Sequence, residues 1–275
     1  MRARATISLL ALVLSARGLG AAPRLEVSGT VMVTREALDV RVEIKNAGDA
    51  AAGSLSVEGE LLGRRRQARF PAGLPPGEAG STHLLFPLDV PRPGVHALAL
   101  LLEYPEDGPR DAVGNQPMAS QRAYLLLALG AAAEPAVRID APELQLDTRG
   151  DLRVGLESTD GAPHRVRLRV LTARGVRSEA PPVEVEVPAR GRAASAVTLM
   201  RSGAPRGTRH GILVVAETVD GELLRTTVAT GVVEIAPTAA WMPRLNTPLF
   251  VLALILLLAA AAIEVRRGWK KRGVC

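Results

Sequence analysis

The chain has 275 residues, is 47% hydrophobic but only 3% aromatic, and carries a formal net charge of +6 with a pI near 10.3. That basic total suggests nucleic-acid binding until the charges are placed: of 34 Lys and Arg residues, three lie in the first 20 positions and five follow Ile263, and the stretch between carries a net of −1. The neutral body excludes an electrostatic nucleic-acid binder, and the lone cysteine, Cys275, excludes an internal disulfide framework.

Residues 1–21 have the three parts of a secretory signal peptide. Arg2 and Arg4 open it, Ala5–Ala16 is an apolar run, and small residues follow through Ala22, with cleavage expected after Gly20 or Ala21. No cysteine follows the apolar run, so it is not a lipoprotein signal.

From Pro23 onward the periodicity is two rather than 3.6. Leu38–Lys45 alternates apolar and polar residues without a break, and Leu25–Val33, Ser54–Leu62, Pro163–Val170 and Val183–Val187 read the same way. Turn residues separate them at Asn46–Asp49, Pro75–Glu78, Arg92–Gly94, Asp160–Gly161 and Asp220–Gly221. Short strands at this spacing predict antiparallel β-sandwiches. An offset of 114 residues recurs: Leu38–Val40 falls on Leu152–Val154, Gly77 on Gly191, and Arg92–Glu103 on Arg206–Glu217, which brings His96 onto His210. The expected fold is therefore all-β, with two tandem immunoglobulin-like sandwiches over residues 23–130 and 135–236, joined at Gly130–Pro135. Each is long enough to bury a core without disulfides. Phe70, Phe86, Tyr104 and Tyr124 all fall in the first, so the second must pack Val, Leu, Ile and Ala.

Val40–Asp49, then Leu74–Glu78, then Gly94–Leu100 together resemble the CARDB-type and related immunoglobulin-like domains of bacterial envelope proteins. In that group a strand runs into Asn-x-Gly and a Leu-x-Pro-Gly turn precedes the next strand. A later Gly-x-Tyr/His opens another. The likeness covers most of the first repeat and only the turns of the second, where Ser158–Gly161 replaces Asn-x-Gly. It implies an extracytoplasmic β-sandwich used for binding, spacing or adhesion, and it implies no catalytic residues.

The candidate site residues are few. Arg64, Arg65 and Arg66 with Arg69 form the basic cluster of the body; following Gly63, it reads first as an exposed hairpin end that discourages edge pairing, and second as a grip on an anionic polymer through guanidinium forks. No aromatics are interleaved with it, against a nucleic-acid or sugar-stacking groove. Asp107, Asp111 and Asn115 offer oxygen ligands in an acidic loop for a calcium-like ion, although Arg110 sits among them; Asp147 and Asp151 flank a glycine turn. His83, His96, His164 and His210 lack the close pairing of a zinc site. Neither a Gly-x-Ser-x-Gly elbow nor a phosphate loop is present, and no catalytic residues or cofactor are expected.

The C-terminal portion reads as a membrane anchor. After a stalk over residues 237–244, the apolar run Leu249–Ile263 lies in a transmembrane helix over 245–265, and residues 266–275 form a basic tail. Trp241 and Trp269 flank the span at the interface, and Arg266, Arg267, Lys270, Lys271 and Arg272 hold the tail in the cytoplasm. The expectation is a non-catalytic, single-pass protein of the cell (inner) membrane. Its body would be extracytoplasmic, its C-terminus cytoplasmic, and its partner another envelope protein or a surface polymer. The alternatives are a polysaccharide-binding or adhesion module and, more remotely, a β-sandwich hydrolase.

Overall fold

The computed structural model describes residues 4–5, 23–34, 37–70, 73–87, 92–105, 118–140 and 143–237. Every regular element among them is a strand. The expected transmembrane helix, the basic tail and most of the expected signal peptide lie outside the described residues. Among those described, no helix is long and apolar enough to cross a membrane. The two-residue β1 (Arg4–Ala5) pairs antiparallel with the strand that opens the body.

The first hydrophobic core lies between two antiparallel sheets. One contains β2 (Leu25–Val33), β3 (Ala37–Asn46) and β6 (Ala79–Pro87) in the order β2-β3-β6. The other contains β4 (Leu55–Leu61), β5 (Arg64–Phe70), β7 (Gly94–Pro105) and β8 (Met118–Leu129), with β5-β4-β7 extended by β8. Alternation decides what enters the core: along β3, Leu38, Val40, Val42 and Ile44 are fully buried while Arg41, Glu43 and Lys45 face out. Phe86, Leu84, Leu98, Leu100 and Leu102 meet them from the neighbouring strands, each such burial contributing about 1.5–3 kcal/mol.

The second core repeats the arrangement. One sheet orders β13 (Val176–Ser178), β15 (Arg192–Arg201), β11 (Arg149–Ser158) and β9 (Val137–Ile139). The other orders β14 (Val183–Val187), β12 (His164–Thr172), β16 (Arg209–Asp220) and β17 (Leu223–Ile235). The short β10 (Glu143–Leu146) runs parallel to the end of β17, Glu143 opposite Val232 through Leu146 opposite Ile235. This core is aliphatic throughout, from Val137 and Leu152 to Val214 and Ile235. The 114-residue offset carries β3, β6 and β7 onto β11, β15 and β16, to within two residues. It lapses at β17, because β16 turns directly through Gly221 and Glu222 whereas residues 106–117 separate β7 from β8.

The two halves share one nine-stranded sheet. Its joint is narrow: Leu224 of β17 lies parallel to Gly94 of β7, and the Leu224 amide donates to the Pro93 carbonyl at 2.9 Å. Only glycine fits there, since a Cβ on Gly94 would stand 2.1 Å from the Leu224 oxygen, and φ at Gly94 is +135°. Thr226 Oγ1 donates to the Val95 carbonyl at 2.6 Å. Around the joint, buried apolar residues belong to neither core: Ala97 and Ala99 on the outward face of β7, Leu213 and Val215 on that of β16.

Candidate functional site

The predicted basic cluster is not a single patch. It forms β5, at the edge of the shared sheet, and alternation sends its side chains to opposite faces. Arg65 lies on the outer face with Gln67 and Arg69, and its Nε is 3.0 Å from Glu60 and 3.7 Å from Glu58 on β4. Arg64 and Arg66 belong to the other face. Arg66 donates from Nε to the Leu85 carbonyl at 2.9 Å and from Nη1 to the Arg65 carbonyl. Asp107, Asp111 and Asn115 lie outside the described residues, as do Trp241, Trp269, Arg266, Arg267, Lys270, Lys271 and Arg272. Among the described residues no group of three or more His, Cys, Asp or Glu is placed to hold a metal.

The histidines are tied individually. His83 Nδ1 lies 2.8 Å from Asp39, His164 Nε2 2.6 Å from Asp160, and His210 Nε2 2.8 Å from Thr208 Oγ1. His96 is 2% exposed and donates from Nε2 to the Arg92 carbonyl at 2.8 Å. A carbonyl only accepts, so Nε2 carries the proton of the neutral ring and Nδ1 is left as an acceptor, buried and without a partner among the described residues.

His96 also lines a cleft of about 590 Å³ where the two halves meet. The strand pattern of the second half supplies the opposite wall. In β12, Val166 and Leu168 enter the core, so Arg165, Arg167 and Arg169 project from the other face, about 6.6 Å apart along the strand. Arg167 stands opposite both Glu184 on β14 and Glu217 on β16, yet neither pairs with it. Glu184 is taken diagonally by Arg165, and Glu217 by Arg169 at 3.0 Å. Arg169 also reaches Glu60 of the first half at 3.4 Å. Arg167 is left exposed with no ion pair among the described residues, and so is Arg92 across the cleft.

The rim is built by the β4–β5 hairpin, whose two-residue turn puts Leu62 at φ 54° and Gly63 at φ 73°. A leucine in the left-handed region costs about 1–2 kcal/mol. The lining holds four guanidiniums against two carboxylates, so its charge is positive although the body is neutral. The sequence reading missed this wall. The signal was present as three arginines at period two, but alternation says which face a side chain takes and not what stands across from it.

Deeper in the junction Arg122 of β8 donates from Nε to the Thr172 carbonyl at 2.9 Å, and Nη2 reaches the same oxygen. Burial pulls its pKa below the ordinary arginine value, opposed by Glu60 and Glu58 nearby. Arg174 completes this side, its amide donating to Ser120 Oγ at 3.3 Å and its guanidinium 3.5 Å from Glu103.

No protein-family model matches the chain, and no curated protein matches it. Among solved structures, red sea bream transglutaminase aligns at 15% identity with a TM-score of 0.27, over 76% of this chain and 31% of that one. An alpha-2-macroglobulin variant from Salmonella aligns at 13% identity and 0.30, over 78% and 16%. A protein of unknown function from Porphyromonas gingivalis W83 aligns at 18% and 0.26, over 76% and 99%. The chain thus spans less than a third of the transglutaminase and about a sixth of the macroglobulin.

Proposed function

We propose that this is a non-catalytic envelope protein, anchored by one C-terminal transmembrane helix over 245–265, which displays two immunoglobulin-like sandwiches of the CARDB-like kind outside the cytoplasm as a scaffold or accessory subunit. The observation that carries this reading is the placement of charge. A near-neutral body sits between an apolar N-terminal segment headed by two arginines and an apolar span followed by five basic residues. The joint between the halves supports it as well, because a scaffold holds its partner at a set distance only if its own parts are fixed to each other. Arg122, Arg169, Arg174 and Thr226 all cross that joint.

The single cysteine provides the test. A membrane-impermeant maleimide should label Cys275 after the inner membrane is opened and not in intact cells, and the chain should stay with the membrane through alkaline carbonate washing. Labelling from outside, or release by carbonate, would overturn the anchored topology. Crosslinking in native membranes should recover a partner protein, and recovery of none would count against the scaffold role.

A further inference from the structure

We infer that the outer edge of β8 is a docking edge for a second copy of the chain, with β8 pairing antiparallel to its own counterpart across a two-fold axis. The inference goes beyond the proposed scaffold role and does not rest on the membrane anchor.

The backbone makes the edge. On β7 the carbonyls of Pro93 and Val95 face β17, where they accept from the Leu224 amide and from Thr226 Oγ1. Odd-numbered residues of β7 therefore turn their N–H and C=O groups away from β8, and even-numbered ones turn theirs toward it. The register, Gly94 with Leu129 through Pro105 with Met118, sets each even residue of β7 against an odd residue of β8. Arg122, Tyr124, Leu126 and Ala128 are left with main-chain donors and acceptors directed outward, and no described strand forms a ladder with them. The neighbouring β2 approaches this side but meets β8 through a side chain, Gln121 Nε2 donating to the Leu25 carbonyl at 2.8 Å.

The sequence leaves this edge unguarded. Sheets protect their edges with charge, shortness or a covering contact. β5 carries four arginines and reaches β6 through Arg66 and the Leu85 carbonyl, β14 carries Glu184 and Glu186, and β9 and β13 have three residues each. β8 instead runs for 12 residues, MASQRAYLLLAL, with no Gly, Pro, Lys or acidic residue. Its one charge, Arg122, is committed inside the molecule to the Thr172 carbonyl.

A row of open main-chain groups takes an extended strand, and its neighbours in the row decide which strand fits. A second copy fits by identity, since it brings the same length, the same outward row and no free charge. With the axis beside Tyr124, Arg122 stands opposite Leu126 of the copy, so like charges do not meet. The near-neutral body adds no long-range repulsion between copies. Two-fold, self-complementary contacts are also the commonest association between identical chains.

Residue-resolved hydrogen exchange on the full chain in detergent, at low and high protein concentration, reads the edge. At low concentration the amides of Tyr124, Leu126 and Ala128 should exchange quickly, while those of Leu125 and Leu127, bonded to β7, stay protected. At high concentration the outward amides should slow at least about tenfold, in step with a doubling of the sedimenting mass. Leu126→Pro removes one outward N–H without touching the β7 ladder, and proline is tolerated at such edge positions. That variant should stay monomeric at both concentrations with a matched thermal melt. A monomer throughout, outward amides whose exchange ignores concentration, or a folded Leu126→Pro chain that still doubles would each overturn the proposal. Where the variant fails to fold, the exchange pattern of the unaltered chain decides alone. Loss of the anchored topology would leave these results unchanged, and a monomer would leave that topology standing.

Discussion

Asn46 is fully buried, and its amide is fully used. Nδ2 donates to the Ala50 carbonyl at 2.8 Å and the Leu74 carbonyl at 2.9 Å, while Oδ1 accepts from the amides of Gly48 at 3.0 Å and Arg24 at 3.3 Å. The Gly77 amide donates to its backbone carbonyl at 2.7 Å. The Asn-x-Gly and Leu-x-Pro-Gly stretches, legible in the sequence as two separate turns, are therefore one knot tied by a single side chain. Asn46→Ala should lower the unfolding free energy in urea by about 2–4 kcal/mol, since several buried groups lose partners worth about 1–3 kcal/mol each. A loss below about 1 kcal/mol would show that water replaces the amide. The 114-residue offset places Asp160 at the same point of the second half, where the surroundings offer only donors: the Ala162 amide at 3.0 Å, His164 at 2.6 Å and Arg225 at 3.3 Å. The His164 bond first, then the Ala162 amide, hold its carboxyl below the ordinary aspartate range. An acceptor-only carboxylate suits that corner as an amide suits the other. Nothing local in the sequence distinguishes the two, because the Leu74 carbonyl arrives from 28 residues away.

At the scale of the strand, β7 and β16 enter their sheets in corresponding ways, with His96 and His210 each pinned by Nε2. Thr208 Oγ1 donates to the Pro205 carbonyl at 2.7 Å, so it accepts from His210 Nε2, and in the neutral ring Nδ1 carries no proton. Burial lowers the pKa of His210 below 6.5. The folded chain therefore keeps this histidine neutral at a pH where the unfolded chain has protonated its own, and the stability present above pH 6.5 is lost as pH falls below it. The urea midpoint should drop between about pH 7.5 and about pH 5.5, and His210→Gln should reduce that drop. An unchanged slope would assign it to other groups. Strands such as β2, β3, β12 and β14 were legible because alternation is a one-dimensional pattern. Arg64–Phe70 reads from the sequence as a basic hairpin end, which the β4–β5 hairpin at the sheet edge agrees with, but RRRQARF has almost no alternation to show that the whole stretch pairs with β4 as a strand. The register that splits its arginines between faces comes from the Leu62-Gly63 turn, whose leucine is not a residue that announces a left-handed position.

For the molecule as a whole, the decisive point is that two repeats share a sheet. Periodicity and the repeat located two cores but could not reveal the joint, since a single backbone pair, Leu224 with Gly94, carries no compositional signature. Gly94 was visible as a strand opener; its need to be glycine arises from the other half. Gly94→Val should force the halves apart at this point. Hydrogen exchange at the Leu224 amide should accelerate at least about tenfold while the amides of Leu98 and Val214, inside the cores, keep their protection. Equal acceleration in the cores would mean that the joint and the cores open together.

The last strand has a further consequence. Near its end β17 is hydrogen-bonded on both flanks, to β16 on one side and to β10 over Val232–Ile235 on the other, immediately before the chain passes to Ala236 and Pro237. A tug arriving from the C-terminal side meets a strand clamped along both edges, so two ladders must yield together rather than one unzipping alone. The body is thus mechanically closed at the place where an anchor would load it.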